Sequence, residues 1–235
     1  MDFAVSYRLK SGEEILKQSL IDFKNAELAN LNHFRRVWTT RNQKNTPGLF
    51  FFSTTEQLVY CESYLERRIL LQEDFRNVAT WVVDQLFQIH FDGQKHIPDF
   101  LILSKHEPKI IDVRAQVFLQ TKRFVAGRIA LKEALNQIGW AYEICSEPHP
   151  LFYTNLDWLS GFRRCPPDYD HFALRIIKIL KPGPLPFTLL MQQVGNEMFS
   201  KPVVFHLLWK KILWVDLYSP FTGKTIIDLS KEEAT

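Results

Sequence analysis

Three carboxylates and one cation in this 235-residue chain are ordered as phosphodiester chemistry would need them. Asp99 follows Pro98, Asp112 comes thirteen residues later, and Arg114 two positions after that. Glu66 lies upstream, with Glu62 four residues before it. Carboxylate oxygens are the natural ligands of Mg²⁺, which keeps several waters and takes further ligands from substrate phosphate. An ion held this way lowers the pKa of a bound water and screens charge on the phosphorus oxygens. A cation beside it stabilises the transition state or orients the phosphate. Singly, each residue has an ordinary explanation, because a Pro-Asp pair is a common turn and an Asp at a strand end commonly meets solvent. Only their joint order sets them apart.

These side chains need an α/β scaffold, and the pattern from residue 50 to 147 supplies one. Phe50, Phe51 and Phe52 read as a short strand. A helix over 56–72, capped by Ser53, Thr54 or Thr55, puts Leu58, Cys61, Leu65 and Ile69 on one face and carries Glu66. Strands follow at 80–91, 97–103 and 109–114, with Asp92-Gly93 marking a turn. A helix over 118–138 stops at Gly139, and a strand covers 140–145. A hairpin of the second and third strands brings Asp99 near Asp112, and alternation gives Asp112 and Arg114 a common face. Gln85 in the first strand, and Gln116 and Lys122 near the second helix, are accessory candidates for orienting phosphate or water. His90 and His96 have no Cys or third His near them in sequence and read as surface or hydrogen-bonded structural residues.

The segment 1–49 reads as an adaptable arm. The stretch Ser146-Glu147-Pro148-His149-Pro150 marks a boundary, after which 148–235 is mainly helical, with helices expected over 171–180, 185–195 and 202–211. Paired strands over 212–217 and 224–229 then complete the layout of a winged helix. The 202–211 helix is so apolar that a packing or protein-docking role is favoured over base reading.

Net charge is only +3, which does not mark a nucleic-acid binder. Its distribution is more telling. Residues 28–55 contain no acid but include Arg35, Arg36, Arg41 and Lys44, and residues 113–132 contain no acid but include Lys122, Arg123 and Arg128. Clustered cations of this kind suit a duplex backbone. Three cysteines without a CxxC pair argue against a disulfide framework or structural zinc. Neither a signal-peptide pattern nor an apolar run of about 20 residues is present. A cytoplasmic protein without a membrane partner is expected.

The stretches Glu62-Ser63-Tyr64-Leu65-Glu66-Arg67, Asp84-Gln85-Leu86-Phe87, His96-Ile97-Pro98-Asp99-Phe100-Leu101 and Ile111-Asp112-Val113-Arg114 together resemble the TnsA-like endonuclease subunit of heteromeric transposases. Asn155-Leu156-Asp157-Trp158-Leu159 with Arg163, and His206-Leu207-Leu208-Trp209 ahead of Val215-Asp216-Leu217, resemble that family's C-terminal region. The resemblance implies a restriction-endonuclease-like catalytic domain and a C-terminal winged helix. It implies a bacterial, Mg²⁺-dependent endonuclease, with Mn²⁺ able to substitute. Such an enzyme nicks the 5′ ends of double-stranded transposon-end DNA while a DDE-type transposase cuts and joins the 3′ ends, and an AAA+ ATPase regulator directs the target. By position, Glu66, Asp99 and Asp112 would be metal ligands and Arg114 would stand where the superfamily usually has Lys. Arg keeps the charge but stays protonated, so a general base at 114 is not expected. The alternative is a catalytically impaired scaffold bridging transposase and ATPase.

Overall fold

The computed structural model describes residues 3–35, 46–91, 93–105, 107–119 and 122–230, the side chains of 122–126 excepted. Over these residues the fold is mixed α/β, with several sheets and seven α-helices. The chain divides into two compact units, Met1–Glu147 and Pro148–Thr235. Among the described residues no helix is long and apolar enough to cross a membrane.

The first unit opens with a hairpin of β1 (Ala4–Leu9) and β2 (Glu14–Ser19), the short helix α1 (Leu20–Lys24), and β3 (Leu31–Asn32), which pairs back onto β1. The described part of 1–49 is therefore built into the unit and is not a separate arm. The cause is aromatic burial, which favours docking over a solvated segment. Phe23 is fully buried, its ring centroid 4.8 Å from that of Phe87 and 5.8 Å from that of Trp140.

Next come β4 (Gly48–Phe52) and β5 (Gln57–Cys61), a second hairpin, and helix α2 (Tyr64–Arg76). The helix expected from 56 thus begins at 64. Residues 57–61, Gln-Leu-Val-Tyr-Cys, are rich in β-formers and pair with the Phe run across a turn in which Glu56 takes φ +55°. The helix start is fixed instead by a capping box: the Ser63 hydroxyl accepts from the Glu66 N–H at 3.1 Å, and the Glu66 carboxylate accepts from the Ser63 hydroxyl and the Glu62 N–H, each at 2.8 Å. The turn preceding β5 is held by fully buried Asp74, which accepts from the N–H and hydroxyl groups of Ser53 and Thr54.

The strand expected over 80–91 is two strands, β6 (Ala79–Asp84) and β7 (Phe87–Phe91), in different sheets. They part at Gln85, whose φ of +44° breaks the extended run. After β8 (Gln94–His96) the chain continues through β9 (Phe100–Ser104), β10 (Lys109–Val113), α3 (Lys122–Gln137) and β11 (Ala141–Cys145). One sheet has the order β2-β1-β7-β8, with β3 also on β1, and the other the order β11-β10-β9-β6. In the latter only β10–β11 is parallel, and the long crossover that parallel pairing needs is α3. Gly139, at φ +76°, ends the segment after α3 as expected from its freedom at positive φ. A continuous core joins the two sheets through Val5, Phe23, Ile89, Leu101, Ile110 and Leu135.

The second unit contains α4 (Pro150–Leu159), α5 (Tyr169–Leu180), β12 (Leu185–Pro186), α6 (Phe187–Val194), α7 (Glu197–Trp209), β13 (Leu213–Trp214) and β14 (Ile226–Leu229). Helix α4 is not among the helices expected from the sequence. The strands form a small antiparallel sheet of order β12-β14-β13. Helix α7 starts five residues before the expected position, with Pro202 inside it, and Val203 to Trp209 are all buried. Only its first turn, with Glu197, Met198 and Phe199, is exposed.

Candidate active site

The site is built at one end of the β9–β10 pair. Phe100 lies opposite Ile111, and the same register continued by one residue sets Asp99 opposite Asp112. Asp99 sits just before β9, and its Oδ2 accepts the Val113 N–H at 2.7 Å. Its carboxylate is thus fastened to the main chain between Asp112 and Arg114. The Asp99 carbonyl accepts from the Gln85 N–H at 3.1 Å, while the Gln85 carbonyl accepts from the Phe34 N–H at 3.0 Å. Gln85 is therefore a main-chain tie between Asp99 and the N-terminal segment. Its side chain is buried, and Oε1 has no hydrogen-bond partner among the described residues.

Electrostatics link Asp99 to the other expected carboxylates. Burial, then the negative charges of Asp112 and Glu66, push its pKa up to about 7 against the opposing pull of the Val113 N–H and Arg114. Glu66 is also raised, chiefly by burial with added repulsion from Glu62 and Asp84, although its capping bonds favour the charged form. Glu62 precedes α2 instead of lying one helical turn behind Glu66.

Asp112 differs sharply. It is fully buried, and both oxygens are engaged: His96 Nε2 lies 2.8 Å from Oδ1, and Oδ2 accepts from the Tyr142 hydroxyl and pairs with Arg128 Nη1 at 3.1 Å. Burial works to raise its pKa, but the His96 hydrogen bond, the charge of Arg128 and the Tyr142 hydrogen bond together hold it below the usual range. Arg128 Nη2 lies 3.1 Å from His96 Nδ1. A guanidinium only donates, so Nδ1 accepts, and a neutral His96 then has Nε2–H to donate to Asp112. The four side chains form a closed cluster around the Asp112 carboxylate.

Other expected residues are scattered. Arg114 is exposed beyond the end of β10, so shared strand alternation does not give it the environment of Asp112. Gln116 is exposed, and its N–H donates to Glu147 at 2.9 Å. Arg35 is exposed and lies 3.4 Å from Glu62. Arg128, expected on a phosphate-facing strip, is largely buried against Asp112, because the buried carboxylate needs a countercharge. Arg36 and Arg41, and the side chains of Lys122 and Arg123, lie outside the described residues. His90 contacts the Ser6 hydroxyl at 2.8 Å, while His96 has the structural bonds given above.

Three further residues shape this region without a chemical signal of their own in the sequence. Tyr142 reads only as an aromatic on a buried strand. Buried Asp84 accepts from the Tyr60 N–H at 3.3 Å, and His33 Nδ1 lies 2.9 Å from its carbonyl and 3.3 Å from its carboxylate. The Asp84 hydrogen bond raises the His33 pKa despite partial burial. A cleft of 610 Å³ lies beside this pair, with Arg8, Arg35 and Tyr60 on its walls. Among the described residues no group of three or more His, Cys, Asp or Glu side chains stands close enough to hold a metal ion.

The capping box gives a first prediction. Ser63→Ala removes the hydroxyl that both caps α2 and holds Glu66, and should lower stability by about 1 kcal/mol. Urea unfolding checks this, and an unchanged midpoint would contradict it.

No family model matches the chain, and no curated protein matches it.

Proposed function

We propose that this chain is a metal-dependent DNA endonuclease of the TnsA-like class, nicking the 5′ ends of a transposon while a DDE-type transposase acts on the 3′ ends. In this reading the first unit is a restriction-endonuclease-like domain and the second a winged-helix-like domain with a protein-docking role, an AAA+ regulator being a further partner. The observation that carries it is the Asp99 carboxylate fastened to the Val113 N–H, between Asp112 and Arg114. That contact joins the two sequence motifs, and the Asp99 pKa, raised first by burial and then by the charges of Asp112 and Glu66, is one that a bound cation would lower.

Asp99, whose Oδ1 has no hydrogen-bond partner among the described residues, fits a hard divalent cation, since Mg²⁺ is commonly bound through one or two carboxylates with water and substrate phosphate. Glu66 could join it only by sharing an oxygen between the ion and the cap of α2, where Oε1 and Oε2 each accept one hydrogen bond. Asp112 does not fit as a third ligand in this conformation, because both its oxygens are engaged. When bound, the ion would acidify a water and screen phosphate charge. Arg114, exposed and permanently charged, serves to bind and orient the scissile phosphate and does not take up a proton. Gln85 keeps Asp99 in place through the main chain.

The engaged state of Asp112 favours a second reading, a catalytically impaired scaffold subunit. Strand-specific nicking of a duplex carrying the element's end separates the two, assayed with the partner transposase present. Mg²⁺-dependent 5′-end nicking that disappears in Asp99→Asn supports the endonuclease. Unimpaired 3′-end processing with no 5′-end nick at any Mg²⁺ or Mn²⁺ concentration supports the scaffold.

A further inference from the structure

Resting on the endonuclease reading, we propose that Arg128, His96 and Tyr142 form a lock that withholds Asp112 from the metal site, so that a cation gains Asp112 only when this cage opens. The geometry makes the two states exclusive. Arg128 already provides the positive charge next to Asp112 Oδ2, the Tyr142 hydroxyl shares that oxygen, and His96 occupies Oδ1. An incoming divalent ion would meet a like-charged guanidinium at the same carboxylate. Asp99, which the β9–β10 register continued by one residue sets opposite Asp112, has among the described residues a single hydrogen bond to its carboxylate, from the Val113 N–H. The neighbouring acids thus differ in availability, and the difference arises from β8, β11 and α3, none of which bears a proposed ligand.

The lock has its own logic in the fold. Arg128 lies in α3, the crossover helix between β10 and β11, while His96 ends β8 in the other sheet. A shift of α3 relative to β10 would break the Arg128–Asp112 pair and the Arg128–His96 bond together. His96, Arg128 and Tyr142 act through Asp112 and are positioning residues.

Mn²⁺ binding by the full chain, followed by electron paramagnetic resonance and calorimetry without DNA, tests the lock. The wild type should bind weakly. Tyr142→Phe, which keeps the ring and loses the hydroxyl, should tighten Mn²⁺ about threefold or more, and Arg128→Gln about tenfold or more. Adding Asp112→Asn to either variant should return the affinity to the wild-type value. Unchanged or weaker binding in folded Tyr142→Phe would overturn the lock, even if Arg128→Gln fails to fold. A tightening that survives Asp112→Asn would overturn it as well. Asp99→Asn separates this from the underlying reading: if it leaves wild-type Mn²⁺ binding intact, the metal site itself is wrong, whereas loss of binding with no gain in Tyr142→Phe removes the lock alone.

Discussion

Asp99→Asn should abolish metal-dependent nicking while making the chain more stable at neutral pH. Loss of even an outer partner of a metal ligand typically costs about 10–100-fold, so loss of a ligand should exceed about 100-fold. The stability gain follows from the carboxyl pKa. It lies at about 7 in the folded chain against an ordinary 3.8, so the folded state holds the proton more tightly than the unfolded one. The stabilisation this brings is fully present below about pH 4 and is lost as pH rises through about 7. At about 1.4 kcal/mol per pKa unit, and allowing for solvent screening of a side chain that is not fully enclosed, the loss is on the order of 2–3 kcal/mol. Asn carries no ionisable proton, so the difference in stability between variant and wild type should grow over that window. Urea unfolding at several pH values measures it. A constant difference from pH 4 to pH 8 would show that Asp99 is an ordinary carboxylate.

Asp112→Ala should have the largest effect on stability, a loss of about 3–5 kcal/mol. It leaves Arg128 buried without its countercharge and deprives His96 and Tyr142 of their shared acceptor. Loss of nicking in this variant is therefore poor evidence for metal ligation, because an unfolded chain also fails to cut. The double variant Asp112→Ala with Arg128→Met removes both charges and should recover a large part of the loss, since the main cost of breaking a buried pair is the charge left behind. Chemical denaturation of the single and double variants provides the comparison. A loss below about 1 kcal/mol in the single variant would contradict the buried cluster.

The fold is most legible in sequence where local pattern and tertiary position coincide. The strands beside Asp99 and Asp112, the hairpin between them, the Gly139 stop and the paired strands near the end follow from apolar runs and turn residues. The start of α2 is obscured because the hydroxyls of Ser53, Thr54 and Thr55 resemble a cap, whereas Ser63 and Glu66 form the actual one; Ser53 and Thr54 instead serve Asp74. The break at Gln85 is hidden because a non-glycine residue at positive φ leaves no compositional mark. At the site, residue types name the acids but not their surroundings. Asp112 and Asp99 look alike in sequence, yet one is saturated by Arg128, His96 and Tyr142 from three distant elements and the other is not. Arg128 likewise belongs to a basic run by sequence and to a buried ion pair by packing.

Crystals soaked in Mn²⁺ and measured for anomalous scattering test the metal centre most directly. An anomalous peak about 2.1 Å from a carboxylate oxygen of Asp99, with Glu66 as a further ligand, is the predicted result. Peaks confined to other surface acids, with Asp99 bonded only to Val113 at saturating Mn²⁺, would contradict it.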